Sequence, residues 1–127
     1  MKSKIEHEHQ KAFVKYLSLL ERQGKIMTFF AVPNGGSRNE REAKNLKLEG
    51  VRAGVSDLVV VIKNKVLFIE MKRPPKKLKN GELSTAGISV QESQKEFLKK
   101  VSRSDVCKGY IAYGFAQAKE IIEKELL

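Results

Sequence analysis

Two neighbouring apolar segments, each bordered by an acidic residue, constrain the fold of this chain more than any other feature. Asp57 stands directly before the first segment, residues 58–62, and Glu70 directly after the second, residues 66–69. Such segments are typical of buried β-strands. Because burial of an uncompensated carboxylate costs free energy, acidic side chains in these positions are expected to be paired or to bind a metal ion.

The spacing of the two segments predicts that the acidic residues lie on one face of a hairpin. A turn at residues 63 and 64 places Asp57 opposite Glu70, whereas a turn at residues 64 and 65 places it opposite Lys72. Side chains alternate between the faces of a strand, so all three share a face in either register. Directly opposed Cβ atoms are about 4.5–5.5 Å apart. Two carboxylates and an ammonium this close are typical of a divalent-metal nuclease site; a cross-strand salt bridge at the sheet rim is the alternative.

The residue types indicate how such a site would act. Asp57 and Glu70 are predicted metal ligands, because Mg²⁺ prefers oxygen donors and commonly binds one or two carboxylates plus water. The carbonyl of Met71 is a further candidate ligand, since its side chain should point to the other face. A bound ion would polarise a phosphate and lower the pKa of water. Lys72 could orient or deprotonate the attacking water, or stabilise charge at the phosphate.

Polar residues on two apolar helix faces add to this prediction. Glu6 and Gln10 are four residues apart and extend the stripe that continues as Phe13 and Leu17. Gln94 lies on the apolar face of a later helix, where an amide needs a partner. It could bind a water or phosphate near the metal, or cap a backbone group. For Glu6, fraying of the helix end into solvent is the alternative.

Composition favours a basic protein with a polyanionic partner. The chain has 127 residues, enough for one domain (1–127), and a formal charge of +10. Such a charge favours nucleic acid, although an inert basic surface has the same composition. No apolar run approaches the roughly 18–20 residues that span a bilayer, so no membrane partner is expected. The single cysteine, Cys107, fits a reducing cytoplasm.

Hydrophobic periodicity predicts an α/β fold with a mixed β-sheet flanked by α-helices. The predicted order is α-β-α-β-β-α-β-α, at residues 4–23, 26–32, 39–48, 57–62, 65–71, 89–101, 106–113 and 115–126. Residues 74–88 are predicted to form a loop. Ser89 and Glu92 are expected to form the capping box that opens the third helix.

The motifs together resemble a known nuclease family. Gly54-Val55-Ser56-Asp57 followed by Glu70-Met71-Lys72 is similar to the PD-(D/E)xK signature of restriction-endonuclease-like nucleases. Four further motifs make it resemble the VRR-NUC (virus-type replication-repair nuclease) domain: Glu6-x-x-x-Gln10, Pro33-Asn34-Gly35, Gly50-Val51-Arg52-Ala53-Gly54 and Gln94-Lys95-Glu96-Phe97. The resemblance covers roughly residues 6–113. Ser56 stands where the family commonly has proline, a position that shapes the strand and donates no ligand.

This resemblance implies a restriction-endonuclease-like fold and a Mg²⁺- or Mn²⁺-dependent endonuclease acting on DNA. Small members occur in phages and bacteria, which implies action in the host cytoplasm. They are similar to Holliday-junction resolvases, which act as homodimers on branched DNA. Carried onto this chain, Asp57 and Glu70 are the metal ligands, Lys72 is the catalytic lysine, Glu6 is a helix-borne acid that completes the site, and Gln94 is an auxiliary glutamine.

Two basic clusters flank the hairpin and would contact the phosphate backbone, which gives affinity with little sequence information. The predicted DNA-binding residues are Gln10, Asn34, Ser37, Arg38, Arg41, Arg52, Arg73, Lys76 and Lys77. A turn-forming role is the alternative for Asn34 and Ser37. Two other functions also fit the sequence: a restriction-type or nicking endonuclease on linear duplex, and a DNA-binding module without catalysis.

Overall fold

The computed structural model describes residues 2–33 and 39–127 and shows the predicted α/β architecture. The helices are α1 (Lys4–Arg22), α2 (Glu40–Leu48), α3 (Glu92–Val101) and α4 (Phe115–Glu125). The strands are β1 (Thr28–Ala31), β2 (Leu58–Ile62), β3 (Lys65–Lys72), β4 (Lys76–Lys77), β5 (Leu83–Ser84) and β6 (Cys107–Tyr113). Apart from β4 and β5, the order of the elements is the predicted one.

A four-stranded mixed sheet in the order β1-β2-β3-β6 forms the centre of the fold. The pairs β1–β2 and β2–β3 are antiparallel, whereas β3–β6 is parallel. Helix α3 is the crossover from β3 to β6, as a parallel pair requires. No helix within residues 2–33 and 39–127 is long and apolar enough to cross a lipid bilayer.

Alternation along the strands separates the two faces of the sheet. Leu67, Ile69 and Met71 of β3 are fully buried and pack with Phe13 and Leu17 of α1 in the main core, to which α4 also contributes. The opposite face of β3 carries Phe68, Glu70 and Lys72 and is covered by α3. Because Leu58 pairs with Ile69, the even-numbered residues of β2 share a face with the odd-numbered residues of β3. Asp57 and Glu70 therefore lie on the other face of the sheet, which α3 covers.

Helix α4 is held at both ends by side chains from other elements. Gly114 precedes the helix and has no side chain to cap it; instead Nδ1 of His9 accepts a hydrogen bond from the N–H of Phe115 at 2.9 Å. At the other end, the nearly buried carboxylate of Glu125 accepts from Tyr110 at 2.6 Å and from Lys65 at 3.0 Å. These contacts fix α1 and α4 on one face of the sheet, so that the start of α1 reaches the end of β3.

Two local predictions were wrong. Residues 74–88 contain a small hairpin, in which Lys76 pairs with Ser84 and Lys77 pairs with Leu83. Its turn includes Asn80-Gly81, a strong hairpin signal, and Gly81 has a φ of 86°. The third helix begins at Glu92 rather than near Ser89, because the side chain of Gln94 accepts from the N–H of Gln91 at 3.0 Å and so caps the helix there.

The loop before β2 approaches α3 so closely that only glycine fits at residue 54. Gly54 has a φ of 84°, and a Cβ atom there would lie 2.3 Å from the carbonyl oxygen of Ser93. The neighbour of Ser93 is Gln94. The close approach therefore sets the position of Gln94 relative to the acidic end of β2.

We expect Gly54→Ala to destabilise the protein by about 2–5 kcal/mol, since it adds overpacking against backbone to the cost of a positive φ. Gly81→Ala is the matched control, because Gly81 has a similar φ of 86° and open space at its Cβ. It should cost about 1–2 kcal/mol. Urea unfolding of the two variants measures the difference. Equal losses would show that the Gly54–Ser93 contact is not tight.

Candidate metal-dependent nuclease site

The register of β2 and β3 brings the two acidic residues together. Leu58 pairs with Ile69 and Ile62 with Lys65, so the turn is at residues 63 and 64. Extended by one residue, this register places Asp57 opposite Glu70, which is the first of the two predicted registers. The side chain of Met71 lies on the other face and is fully buried, as predicted.

Both carboxylates are buried and bonded to the protein. Asp57 and Glu70 are only 7% and 3% exposed. Oδ2 of Asp57 accepts a hydrogen bond from the backbone N–H of Met71 at 2.8 Å. Oε2 of Glu70 accepts from Nε2 of Gln94 at 2.9 Å. These bonds fix the orientation of both carboxylates before any ligand binds.

Gln94 connects Glu70 to Lys72. Its Oε1 accepts from Nζ of Lys72 at 3.0 Å and from the N–H of Gln91, while its amide N–H donates to Glu70. Nζ of Lys72 is also 3.7 Å from Oε2 of Glu70. The backbone cap considered as one alternative for Gln94 is thus observed, and the same side chain also bonds to Glu70 and Lys72. It holds the Lys72 ammonium beside the carboxylates.

The first helix contributes Glu6 together with a residue that the sequence did not single out, Lys2. Nζ of Lys2 is 2.7 Å from Oδ2 of Asp57 and 2.7 Å from the carbonyl oxygen of Met71. Oε2 of Glu6 is 3.7 Å from the same nitrogen. Two of the three predicted metal ligands, Asp57 and the carbonyl of Met71, therefore bind one cation, which here is an ammonium, and Glu6 lies near it.

Burial changes the acidity of Glu70. Loss of solvent raises its pKa to about 8, and the nearby carboxylate of Asp57 adds to this, while the ammonium groups of Lys2 and Lys72 oppose it. A raised pKa with a specific charged partner in a cleft is a recurrent property of functional sites. A further cation beside Glu70 would favour its ionised form.

The donor set fits a hard divalent cation. Within residues 2–33 and 39–127, no three His, Cys, Asp or Glu side chains form a group that could hold a metal by themselves. Mg²⁺ does not require one, because it is usually bound by one or two carboxylates with water and substrate phosphate. Asp57, Glu70 and the carbonyl of Met71 supply oxygen only, and the ammonium already among them shows that the position accommodates a cation.

A cleft of about 840 Å³ opens over the site. Helix α2 forms one wall, although none of its residues is buried. The cleft is lined by four cationic residues besides the two lysines of the site: Lys44, Lys47, Arg52 and Arg73. Glu6, Asp57, Glu70 and Gln94 also face it. A negatively charged chain lying in this cleft would meet cations on its rim and the carboxylates at its base.

The predicted DNA-binding residues divide into three groups. Arg52 and Arg73 line the cleft, as described. Arg41 is exposed on α2, and Lys76 and Lys77 are exposed on β4, none of them in the cleft lining. Asn34, Ser37 and Arg38 lie outside the described residues.

Gln10 is half-buried on α1, and its side-chain oxygen is buried without a hydrogen-bond partner among the residues described. It follows Glu6 by one turn, as predicted, but it does not line the cleft. A water molecule or ligand atom would satisfy this oxygen. Its role in DNA binding stays a prediction.

A solved structure described as a VRR_NUC domain protein is similar to this chain over 98% of its length and 89% of the other's, with a TM-score of 0.67 and 20% sequence identity. The chain has the VRR-NUC fold. No protein-family model matches the sequence, and no curated protein is similar to it. At this identity the similarity establishes the fold predicted from the motifs, while the chemistry of the VRR-NUC fold in this chain depends on its own residues.

Sequence reasoning missed Lys2, whereas Lys44 and Lys47 of α2 belong to the basic cluster that was expected beside the site. The signal for Lys2 was available, since a step of four back from Glu6 leads to it. Ser56 is fully buried and its hydroxyl donates to the carbonyl of Leu58 at 3.3 Å. It therefore has a structural role in the turn into β2, where proline is common.

The raised pKa of Glu70 predicts that Glu70→Gln stabilises the metal-free protein at alkaline pH. In the folded state Glu70 holds its proton up to about pH 8, whereas unfolding restores a pKa near 4.5. Stability should therefore fall as pH rises between these values, and the glutamine variant should not show this loss. We expect a gain on the order of 1 kcal/mol, or roughly 2–6 °C, at pH 8.5 that disappears near pH 4.5.

Thermal unfolding in EDTA across this pH range measures the effect. Glu8→Gln is the control, because Glu8 is exposed on α1 and its substitution removes one negative charge outside the site. A Glu70→Gln gain that is the same at pH 4.5 and 8.5 would show that ionisation of Glu70 does not cost stability.

Proposed function

We propose that this protein is a metal-dependent DNA endonuclease that hydrolyses phosphodiester bonds. The observation that carries the proposal is the meeting of Asp57, Glu70 and Lys72 at the base of a cleft with a cationic rim. Two buried carboxylates and a lysine, held by specific hydrogen bonds on the VRR-NUC fold, form a site suited to phosphate chemistry. The chemistry supplied by bound Mg²⁺ or Mn²⁺ is polarisation of the phosphate and a lowered pKa of water.

The residues of the chain would divide this work. Asp57, Glu70 and the carbonyl of Met71 would hold the ion, with Glu6 on the α1 side of the site. Lys72, oriented by Gln94 at 3.0 Å, would donate a hydrogen bond to a phosphate oxygen or to the attacking water. Because Gln94 also donates a hydrogen bond to Glu70, it would hold Lys72 at a constant distance from Glu70 while the substrate reacts.

We further propose branched DNA as the substrate, with two copies of the chain cutting two strands. This finer statement rests on the resemblance of the motifs to junction-resolving nucleases. A restriction-type or nicking enzyme on linear duplex would use the same residues. A DNA-binding module would keep the cationic cleft but would not need the alignment of Lys72 with the carboxylates.

We expect Asp57→Ala, Glu70→Ala and Lys72→Ala each to lower the cleavage rate by at least about 10²-fold while DNA binding remains, because each removes a group that would act on the reacting phosphate. The measurement is cleavage of a four-way junction, a flap and a linear duplex at equal salt, with Mg²⁺ or Mn²⁺. Lys95→Ala is the control, since Lys95 is beside Gln94 in sequence but exposed.

Three results would change this proposal. Normal cutting by all three alanine variants would remove these residues from the reaction. Equal rates on linear and branched DNA would favour the restriction-type activity. DNA binding without turnover by the unmodified protein in both metals would favour the binding module.

The cleft predicts which lysines contribute to DNA affinity. Lys44 and Lys47 line it, so a Lys44→Ala, Lys47→Ala double variant should weaken binding and reduce the dependence of log K on log salt by roughly 2, as loss of two phosphate contacts does. A Lys76→Ala, Lys77→Ala double variant removes the same charge from the β4–β5 hairpin, outside the cleft lining. It should have a smaller effect.

Fluorescence anisotropy of a labelled junction at several salt concentrations distinguishes the two surfaces. A larger loss in the Lys76, Lys77 variant would show that the β4–β5 hairpin, rather than the cleft, is the principal contact.

A further inference from the structure

The ammonium of Lys2 is bound to two of the three proposed metal ligands, Asp57 and the carbonyl of Met71. Its distances of 2.7 Å to Asp57 Oδ2 and 2.7 Å to the Met71 carbonyl are those of strong charge-assisted hydrogen bonds. Glu6 Oε2 is 3.7 Å away. The three oxygen atoms come from the start of β2, from β3 and from α1. A lysine ammonium has three donors and no acceptor, so it donates to the first two oxygen atoms, while Glu6 at 3.7 Å attracts it by charge without a hydrogen bond.

An ammonium and a divalent ion cannot both use these oxygen atoms. Mg²⁺ binds oxygen at about 2.0–2.1 Å, so an ion on Asp57 and Met71 would lie within the volume that Nζ of Lys2 fills. The two cations would also repel each other strongly at such a distance. Metal loading therefore requires that Lys2 leave.

We propose that Lys2 is a resident cation of this site, and that a divalent ion binds by displacing its ammonium. This inference rests on the proposed function, because it concerns the same ligands. In the metal-free protein Lys2 offsets the repulsion between Asp57 and Glu70. It also makes the site selective, because a cation must bind the oxygen atoms better than the ammonium does. A site that Lys2 fills for nine-tenths of the time would bind a divalent ion roughly tenfold more weakly.

Lys2 differs in this respect from Lys72, the other ammonium in the site. Lys72 is part of β3, where its backbone carbonyl accepts a hydrogen bond from Gly114 at 2.9 Å, and its Nζ is bound to Gln94 rather than to Asp57 or Met71. Lys2 precedes Ser3, the N-cap residue of α1, and lies outside regular structure. Its side chain is therefore the one that a metal ion would replace.

The experiment is isothermal titration of Mn²⁺ and Mg²⁺ into the unmodified protein, Lys2→Met and Lys4→Met, without DNA. Methionine keeps much of the side-chain length and removes the charge. Lys4 is exposed at the first position of α1, so Lys4→Met is a matched control for the general attraction of cations to a less positive protein. We expect Lys2→Met to bind the metals at least about fivefold more tightly than the unmodified protein, and Lys4→Met to stay within about twofold of it.

The outcomes separate this inference from the proposed function. Equal affinities in all three proteins, or weaker binding by Lys2→Met, would overturn the displacement of Lys2 and leave the nuclease proposal standing. Absence of metal binding in all three would overturn both. Tighter binding by Lys2→Met alone would support both.

A second measurement is made on the unmodified chain, and a variant serves only to assign its signal. In ¹⁵N NMR of lysine side chains, an ammonium that is held by hydrogen bonds gives a protected NH₃⁺ signal, and Lys2→Arg identifies that of Lys2. Saturating Mg²⁺ should abolish this protection while the Lys72 signal remains. A Lys2 signal that persists unchanged after Mg²⁺ has bound would overturn the inference.

Discussion

The antiparallel register between β2 and β3 is the constraint on which the rest of the site depends. A two-residue turn at residues 63 and 64 sets this register, and a shift by one residue would turn Asp57 to the opposite face of the sheet. The same pairing places Leu58 and Ile69 in the core. Because burial of the apolar face and placement of the acids on the opposite face require the same alternation, core packing also stabilises the site.

The cost of burying two carboxylates side by side is offset by neighbouring groups of the protein rather than by solvent. Two carboxylates at 7% and 3% exposure would be costly if left unpaired. The N–H of Met71, the amide of Gln94 and two ammonium groups offset this cost, yet the raised pKa of Glu70 shows that compensation is incomplete. A protein selected only for stability would have an apolar residue at position 70. On the proposed function, binding of a divalent cation would offset the remaining cost.

The sequence predicted those parts of the fold and site that depend on periodicity. Alternation in the hairpin placed Asp57, Glu70 and Lys72 on one face, and a polar residue on an apolar helix stripe singled out Gln94. The choice between the two registers was left open, because Asn64 fits either turn. The start of α3 was misplaced because the helix is capped by Gln94 and Gln91, whereas the sequence pattern favoured Ser89 and Glu92. Helix α2 has no buried apolar face, so the sequence pattern does not predict that it forms a wall of the cleft. The roles of the site residues depend on their chemistry, which the fold does not determine.

The two lysines of the site differ in the part of the fold that carries them. Lys72 belongs to a β-strand, whereas Lys2 lies outside regular structure. Lys72 follows Glu70 by two residues in β3, and both residues are paired with β6, so its distance from Glu70 changes little. Lys2 reaches the site from outside a helix and makes its contacts through the side chain only. The fixed ammonium suits a step in which charge develops on a phosphate. The replaceable one suits the state before metal and substrate arrive, when the carboxylates need a counter-charge that can leave. One ammonium is fixed by the sheet and the other is held by its side-chain contacts outside regular structure, although both lie beside the same pair of acids.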